Sequence, residues 1–309
     1  MASQRDTANR INSVKNIQKI TSAMQMVAAA RLRKAEQRIE VLRPYADAIE
    51  RMTRQAAEAA GDVPQLPILN EHESVDNVGM LLIAGDRGLA GSFNSQIIRS
   101  GVRTREELIE GGQDVTLYAV GRRIDSSLNF RDMAPKSAFT GFTDRPSYAD
   151  ARNIADELMA DYIDGHVDQV DIVYNSYVSP LTQIVTRQRI LPLQAAQILE
   201  GGLAEQNEVD AEIAAAESEH AEGAQPLWLY EPAPEELLTR LIPDFVEITI
   251  FRALLESSAS EMGAKMTAMR SASDNAGEMI HDLTLEMNRQ RQAAITQEIL
   301  EVVGGAEGV

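Results

Sequence analysis

Phosphate chemistry is the first possibility that the residues raise. The loop Gly85-Asp-Arg-Gly-Leu-Ala-Gly91-Ser92 lies between a strand-like apolar run and a helix-like stretch, where backbone amides can hold an anion. Its spacing is neither that of the dinucleotide fingerprint nor that of a Walker loop, which needs Lys and then Ser or Thr directly after a glycine. None of the five lysines, Lys15, Lys19, Lys34, Lys136 and Lys265, follows a glycine. A structural turn is the expectation, with anion binding as the competing reading. Metal chemistry finds even less, because His72, His166, His220 and His281 lie in unrelated contexts without an HExxH motif or a close pair. They are read as surface residues. No GxSxG elbow is present, and a chain without cysteine has no thiolate nucleophile, disulfide or sulfur-bound zinc. No catalytic residue, cofactor or metal is expected.

What remains is surface for interaction. Arg31, Lys34 and Arg38 recur at three- and four-residue steps, which places them on one side of a helix, and Lys15 and Lys19 are paired in the same way. Residues 1–60 hold 11 Lys and Arg against six acids, in a chain whose net charge is -18. A basic strip on an acidic body suits an acidic partner, which Coulombic attraction would steer onto it. A solvated face is the plainer alternative. With five lysines and this net charge, nucleic acid is not an expected partner. Met24, Met26, Met262, Met266, Met269, Met279 and Met287 gather toward the two ends of the chain, as helix core or as adaptable surface.

These residues need long helices to position them. No Gly occurs in residues 1–60, and the only Pro there is Pro44. Ile17, Ile20, Met24, Val27, Ala28, Ala35, Ile39, Leu42, Ala46 and Ile49 recur at helical steps, which predicts one apolar face along a helix roughly 80 Å long. The same pattern returns from about Phe245 to Val303, weakened at Gly263 and Gly277, with a helix stop expected at the glycines that follow. An earlier helix start follows Pro234. Such runs pair as an antiparallel coiled coil if the intervening chain brings them together, with Ala28, Ala35, Ala276 and Met287 in the seam.

Between them, VGMLLIA, DVTLYAV, DQVDIVYNSYVS and QIVTRQRI read as strands, alternating with helices near Ser95–Glu110 and Tyr148–Asp164. That alternation predicts an α/β layer structure with a mainly parallel sheet. The expected division is an N-terminal helix over 1–60, an α/β domain over 75–198, an acidic loop or insertion over 199–226, and a C-terminal helix with its lead-in over 227–309. No apolar run approaches the roughly 20 residues that a membrane-spanning helix needs, and the start shows no apolar signal stretch. The protein is expected to remain in the compartment where it is made.

Four stretches carry a family resemblance: NRINSVKNIQKITSAMQMVAAARLRKAEQR, LLIAGDRGLAGSFNSQII, LWLYEPAPEELL and SEMGAKMTAMRSASDNAGEMIHDLTLEMNRQRQAAITQEILEVVGGA. In them the chain resembles the gamma subunits of F-type, proton-translocating ATP synthases. The resemblance implies an antiparallel coiled coil of the N- and C-terminal helices with a central Rossmann-like α/β domain. It also implies a setting: a rotor shaft inside a ring of alpha and beta subunits, with the α/β domain resting on the c-subunit ring beside the epsilon subunit. Ion-driven rotation would cycle the catalytic beta subunits, and the shaft itself would do no bond chemistry. The implied location is peripheral, on the cytoplasmic side of a cell inner membrane or plasma membrane.

The resemblance also supplies contact positions. Met24 matches the methionine beside the beta subunit's acidic lever, and Arg31, Lys34 and Arg38 continue that basic side. Arg291, Gln292 and Thr296 match polar contacts with the catalytic ring. Lys265 stands where the family commonly has Arg, so the charge survives but the bidentate fork does not. Ala90 replaces the family's usual cysteine after DRG. The alternative from a different class is a static coiled-coil adaptor whose Gly85–Ser92 loop binds an anion.

Overall fold

The computed structural model describes residues 4–60, 67–69, 72, 74–193 and 233–306. The acidic stretch 199–226 and the LWLYEP segment lie outside them. Helix α1 runs from Gln4 to Ala60, as the absence of glycine predicts, and continues through Pro44. At the other end a single helix, here named α5, spans Pro234–Ala306. It begins well before Phe245 and continues through Pro243. Interior proline costs a helix about 3 kcal/mol, whereas burying an aliphatic or phenyl side chain returns about 1.5–3 kcal/mol. Leu238, Leu241, Ile242 and Phe245 are all buried around that proline, so packing prevails. The expected stop at Gly304 and Gly305 is also corrected, since α5 reaches Ala306.

The two helices pair antiparallel. Thr7 Oγ1 donates to Gln290 Oε1 at 3.2 Å, and Gln18 Nε2 donates to the Ser273 carbonyl at 3.4 Å. Farther along, Leu32 and Ala35 pack on Ala259 and Met262. On α1 the seam follows alternating steps of four and three: Thr7, Ile11, Val14, Gln18, Thr21, Gln25, Ala28, Leu32, Ala35, Ile39, Leu42, Ala46, Ile49, Thr53 and Ala56, each buried or half-buried. Alternating steps average 3.5 residues, the period that keeps one stripe on a partner helix. Ala28, Ala35 and Ala276 are in the seam as expected. The single apolar face expected for α1 needs correction, because Ile17, Ile20 and Val27 are 52%, 59% and 54% exposed. They sit one position before the seam residues Gln18, Thr21 and Ala28, on a stripe turned by about 100°.

The middle of the chain supplies β1 (Asn77–Ile83), α2 (Phe93–Glu110), β2 (Asp114–Val120), α3 (Arg122–Phe130), β3 (Ser137–Phe139), α4 (Tyr148–Ile163), β4 (Gln169–Tyr177) and β5 (Gln183–Leu191). Strand order is β3-β2-β1-β4-β5; the first four are parallel, and β5 is the antiparallel edge. Both faces are covered, which is why β1 is an unbroken apolar run. Leu81, Ile83, Tyr118, Ile172 and Tyr174 pack toward α4 and α5, while Met80, Leu82, Leu117, Ala119 and Val173 pack toward α2 and α3. The small elements α3 and β3 were not foreseen from the sequence. Helix α5 thus belongs to two structures at once, packing on the sheet in its first half and on α1 throughout the coil.

Candidate functional surface

At the C-terminal edge of the parallel strands, the first amides of the loop 84–92 are engaged from within. The Gly85 amide donates to Asn94 Oδ1, and the Asp86 amide donates to Thr143 Oγ1 at 2.9 Å. Asp86 in turn accepts from the amides of Gly141, Thr143 and Arg122 and from the Thr143 hydroxyl. Burial alone would raise its carboxyl, but these donors together outweigh burial and hold it below the ordinary carboxylate range. Beneath the loop lies Glu261 of α5, so close that a Cβ on Gly85 would stand 2.8 Å from its Oε2. Burial raises the Glu261 carboxyl; Lys265 opposes that rise, and Asp144 and Asp86 add to it. Asp86, Asp144 and Glu261 lie on one side of the loop, and Arg87, Arg122 and Arg123 stand beside it. The geometry is that of a structural turn, as expected. Gly121 is required here, at φ 98°, because a Cβ would lie 2.3 Å from the Ala84 carbonyl.

The basic strip on α1 is present, but its members differ. Lys34 is exposed and Arg38 half-buried. Arg31 donates to Asp144 Oδ2 at 3.1 Å, and Arg87 approaches the same oxygen at 3.8 Å. Lys265 is only 12% exposed at its side chain and is paired with Glu261 at 2.8 Å, so its ammonium faces inward. Met24 is half-buried between the exposed Ile20 and Val27. Arg291, Gln292 and Thr296 are exposed on α5, with the Thr296 hydroxyl donating to the Gln292 carbonyl at 2.9 Å.

Two features were not anticipated. Since Thr7 lies opposite Gln290, the last turns of α5 project beyond the start of α1 by on the order of 20 Å. Every residue from Arg291 to Leu300 is exposed there, including Ile295 and Ile299. His72, read as a surface residue, is instead bonded through Nδ1 to Asp168 Oδ1 at 2.8 Å and lies 4.8 Å from the Tyr162 ring. His166 pairs with Asp161, His281 is exposed, and His220 lies outside the described residues. Among the described residues no cluster of acids and histidines could hold a metal, and no helix is long and apolar enough to cross a membrane.

The chain as a whole is similar to known proteins. The family model described as ATP synthase matches residues 3–309. The ATP synthase gamma chain of Desulfitobacterium hafniense is 41% identical over 309 residues, covering 100% of both chains. That of Heliobacterium modesticaldum is 44% identical over 306 residues, covering 99% of each. Among solved structures, a chain of the Euglena gracilis mitochondrial ATP synthase (OSCP/F1/c-ring, rotational state 3) matches with TM-score 0.64 at 18% identity, covering 99% of this chain and 94% of its own. A chain of the Tetrahymena thermophila central stalk and c-ring matches with TM-score 0.58 at 24% identity, covering 82% of this chain and 99% of its own. At those identities the structures speak for the fold, whereas the full-length relatives speak for descent: this chain belongs to the ATP synthase gamma chain family.

Proposed function

We propose that this chain is the rotor shaft of its complex, coupling ion-driven rotation in a membrane ring to conformational cycling of catalytic beta subunits, with no bond chemistry of its own. The observation that carries this reading is the stripe Ile17, Ile20, Met24 and Val27, left uncovered by α5 and continued upward by the bare end of that helix. An isolated coiled coil gains nothing from such a stripe. A shaft enclosed by a low-friction sleeve of apolar and adaptable side chains does.

In this reading Met24 lies beside the acidic lever of a beta subunit, Lys34 and Arg38 continue the basic side, and Arg291, Gln292 and Thr296 meet the catalytic ring. Arg31 and Lys265 reach a partner only by leaving Asp144 and Glu261. The α/β domain sits on the c-subunit ring beside epsilon, at the cytoplasmic face of an inner or plasma membrane, and residues 199–226 form an acidic insertion between that domain and α5. Each orientation of an asymmetric shaft favours a different beta conformation through its differential contact energy.

The test is purification of the tagged chain from membranes in mild detergent, with its companions identified by mass and the eluate assayed for ATP hydrolysis. Alpha, beta, epsilon and c subunits with ATPase activity are expected. Recovery of the chain with unrelated partners would overturn the reading.

A further inference from the structure

Two polar attachments between the coil and the α/β domain stand out by their placement. In the first, Asp144, in the loop before α4, binds both helices of the coil: its Oδ2 accepts from Arg31 of α1 at 3.1 Å, and its backbone carbonyl accepts from Ser258 of α5 at 3.3 Å. In the second, the end of β4 does the same. The Tyr177 hydroxyl donates to Glu36 of α1, the Ser176 hydroxyl donates to Glu256 of α5 at 2.8 Å, and Ser260 of α5 donates to the Asn175 carbonyl at 3.1 Å.

At 3.6 residues per turn, Ser258 lies roughly 160–200° around α5 from Glu256 and Ser260, and Arg31 lies roughly 140° around α1 from Glu36. The two attachments therefore grip diverging faces of both helices. An apolar core already joins the domain to Ala46, Ile49 and Ala56 of α1 and to α5 between Leu238 and Leu254; beyond it, two polar attachments on diverging faces add resistance to rotation about the coil axis. Stability does not explain the first of them. Arg31 is half exposed, in the class of ion pairs that contribute little. Asp144 Oδ1 is buried with no hydrogen-bond partner, and the carboxylates of Asp86 and Glu261 are near. What the acid does hold is position, since its Oδ2 meets both Arg31 and Arg87 and its carbonyl meets Ser258.

We propose that Asp144 and Tyr177 are paired positioning residues that fix the angular setting of the α/β domain on the coiled coil. If the rotor reading also holds, on which this consequence rests, they keep torque applied at the domain from being lost as swivel before it reaches the shaft.

The chain contains no cysteine, so two thiols can be introduced at exposed positions, Arg33→Cys on α1 and Glu106→Cys on α2. The probe is a nitroxide spin label at both, in the assembled complex, with the inter-label distance distribution read by pulsed electron resonance. Asp144→Asn combined with Tyr177→Phe should broaden that distribution beyond the width seen in the parent complex, and each single substitution should broaden it less. Proton pumping per ATP hydrolysed should fall in the double variant while hydrolysis is retained. A distribution of unchanged width in the double variant overturns the proposal, whatever happens to pumping. A broadened distribution with unchanged pumping supports the paired attachments and counts against the rotor reading instead.

Discussion

Asp86 accepts three backbone amides and a hydroxyl, and a carboxylate so supplied is a poor proton acceptor. Its folded value is depressed, so the stability it contributes is present at neutral pH and is lost as pH falls below about 4 and through the depressed value. Asp86→Asn should lower stability by about 1–3 kcal/mol at pH 7 and flatten the acid limb of the stability profile; an unchanged acid limb in chemical denaturation would refute this role. Met24 is a different case, since its neighbours on the outer stripe leave it poised for another chain. Met24→Lys places a cation in that apolar stripe, and ATP-driven proton pumping in the complex should fall more than ATP hydrolysis. Equal loss of both activities would instead indicate misassembly.

On α1 the seam and the outer stripe make opposite predictions. Leu32→Ala removes a buried seam residue and should cost about 2–5 kcal/mol, whereas Ile20→Ser should change stability by no more than about 0.5 kcal/mol and weaken assembly with the partner subunits. Denaturation of each variant and its recovery in the complex check both halves. The same pair of stripes marks how far the sequence was readable. Helical steps of three and four are obeyed equally by Ile17, Ile20 and Val27 and by the true seam. The seam hides behind Thr7, Gln18, Thr21 and Gln25, polar residues whose burial only the partner helix reveals. Strands β1, β2, β4 and β5 were legible because burial on one or both faces leaves apolar runs. By contrast, α3 offers only Ile124 and Leu128 to the core amid polar neighbours, and β3 is three residues long. Among the site residues, spacing put Arg31, Lys34 and Arg38 on one side of α1, where Arg31 and Lys34 are exposed and Arg38 half-buried, whereas Met24, Arg291, Gln292 and Thr296 came from the family resemblance alone. The inward turn of Lys265 followed from neither, since it depends on Glu261 being pressed beneath the loop at Gly85.

For the whole molecule, the uncovered stripe and the bare end of α5 imply that the chain by itself is poorly soluble or partly unfolded, and that assembly raises its melting temperature. Scanning calorimetry of the free and assembled chain checks this. Removing residues 304–309 should leave assembly intact, as measured by recovery of the complex, because a terminal turn contributes little. Helix α5 carries the largest asymmetry of all. Between Leu238 and Met262 it is walled in by α1, α4 and the sheet, while beyond Arg291 it stands in the open, with no break between the two regimes. A backbone so placed has one continuous hydrogen-bond ladder but no single local stability. Amide hydrogens in the unassembled chain should therefore exchange slowest around Ile250 and ever faster toward Ile299, turning one rigid-looking rod into a graded sensor of which of its neighbours are in place.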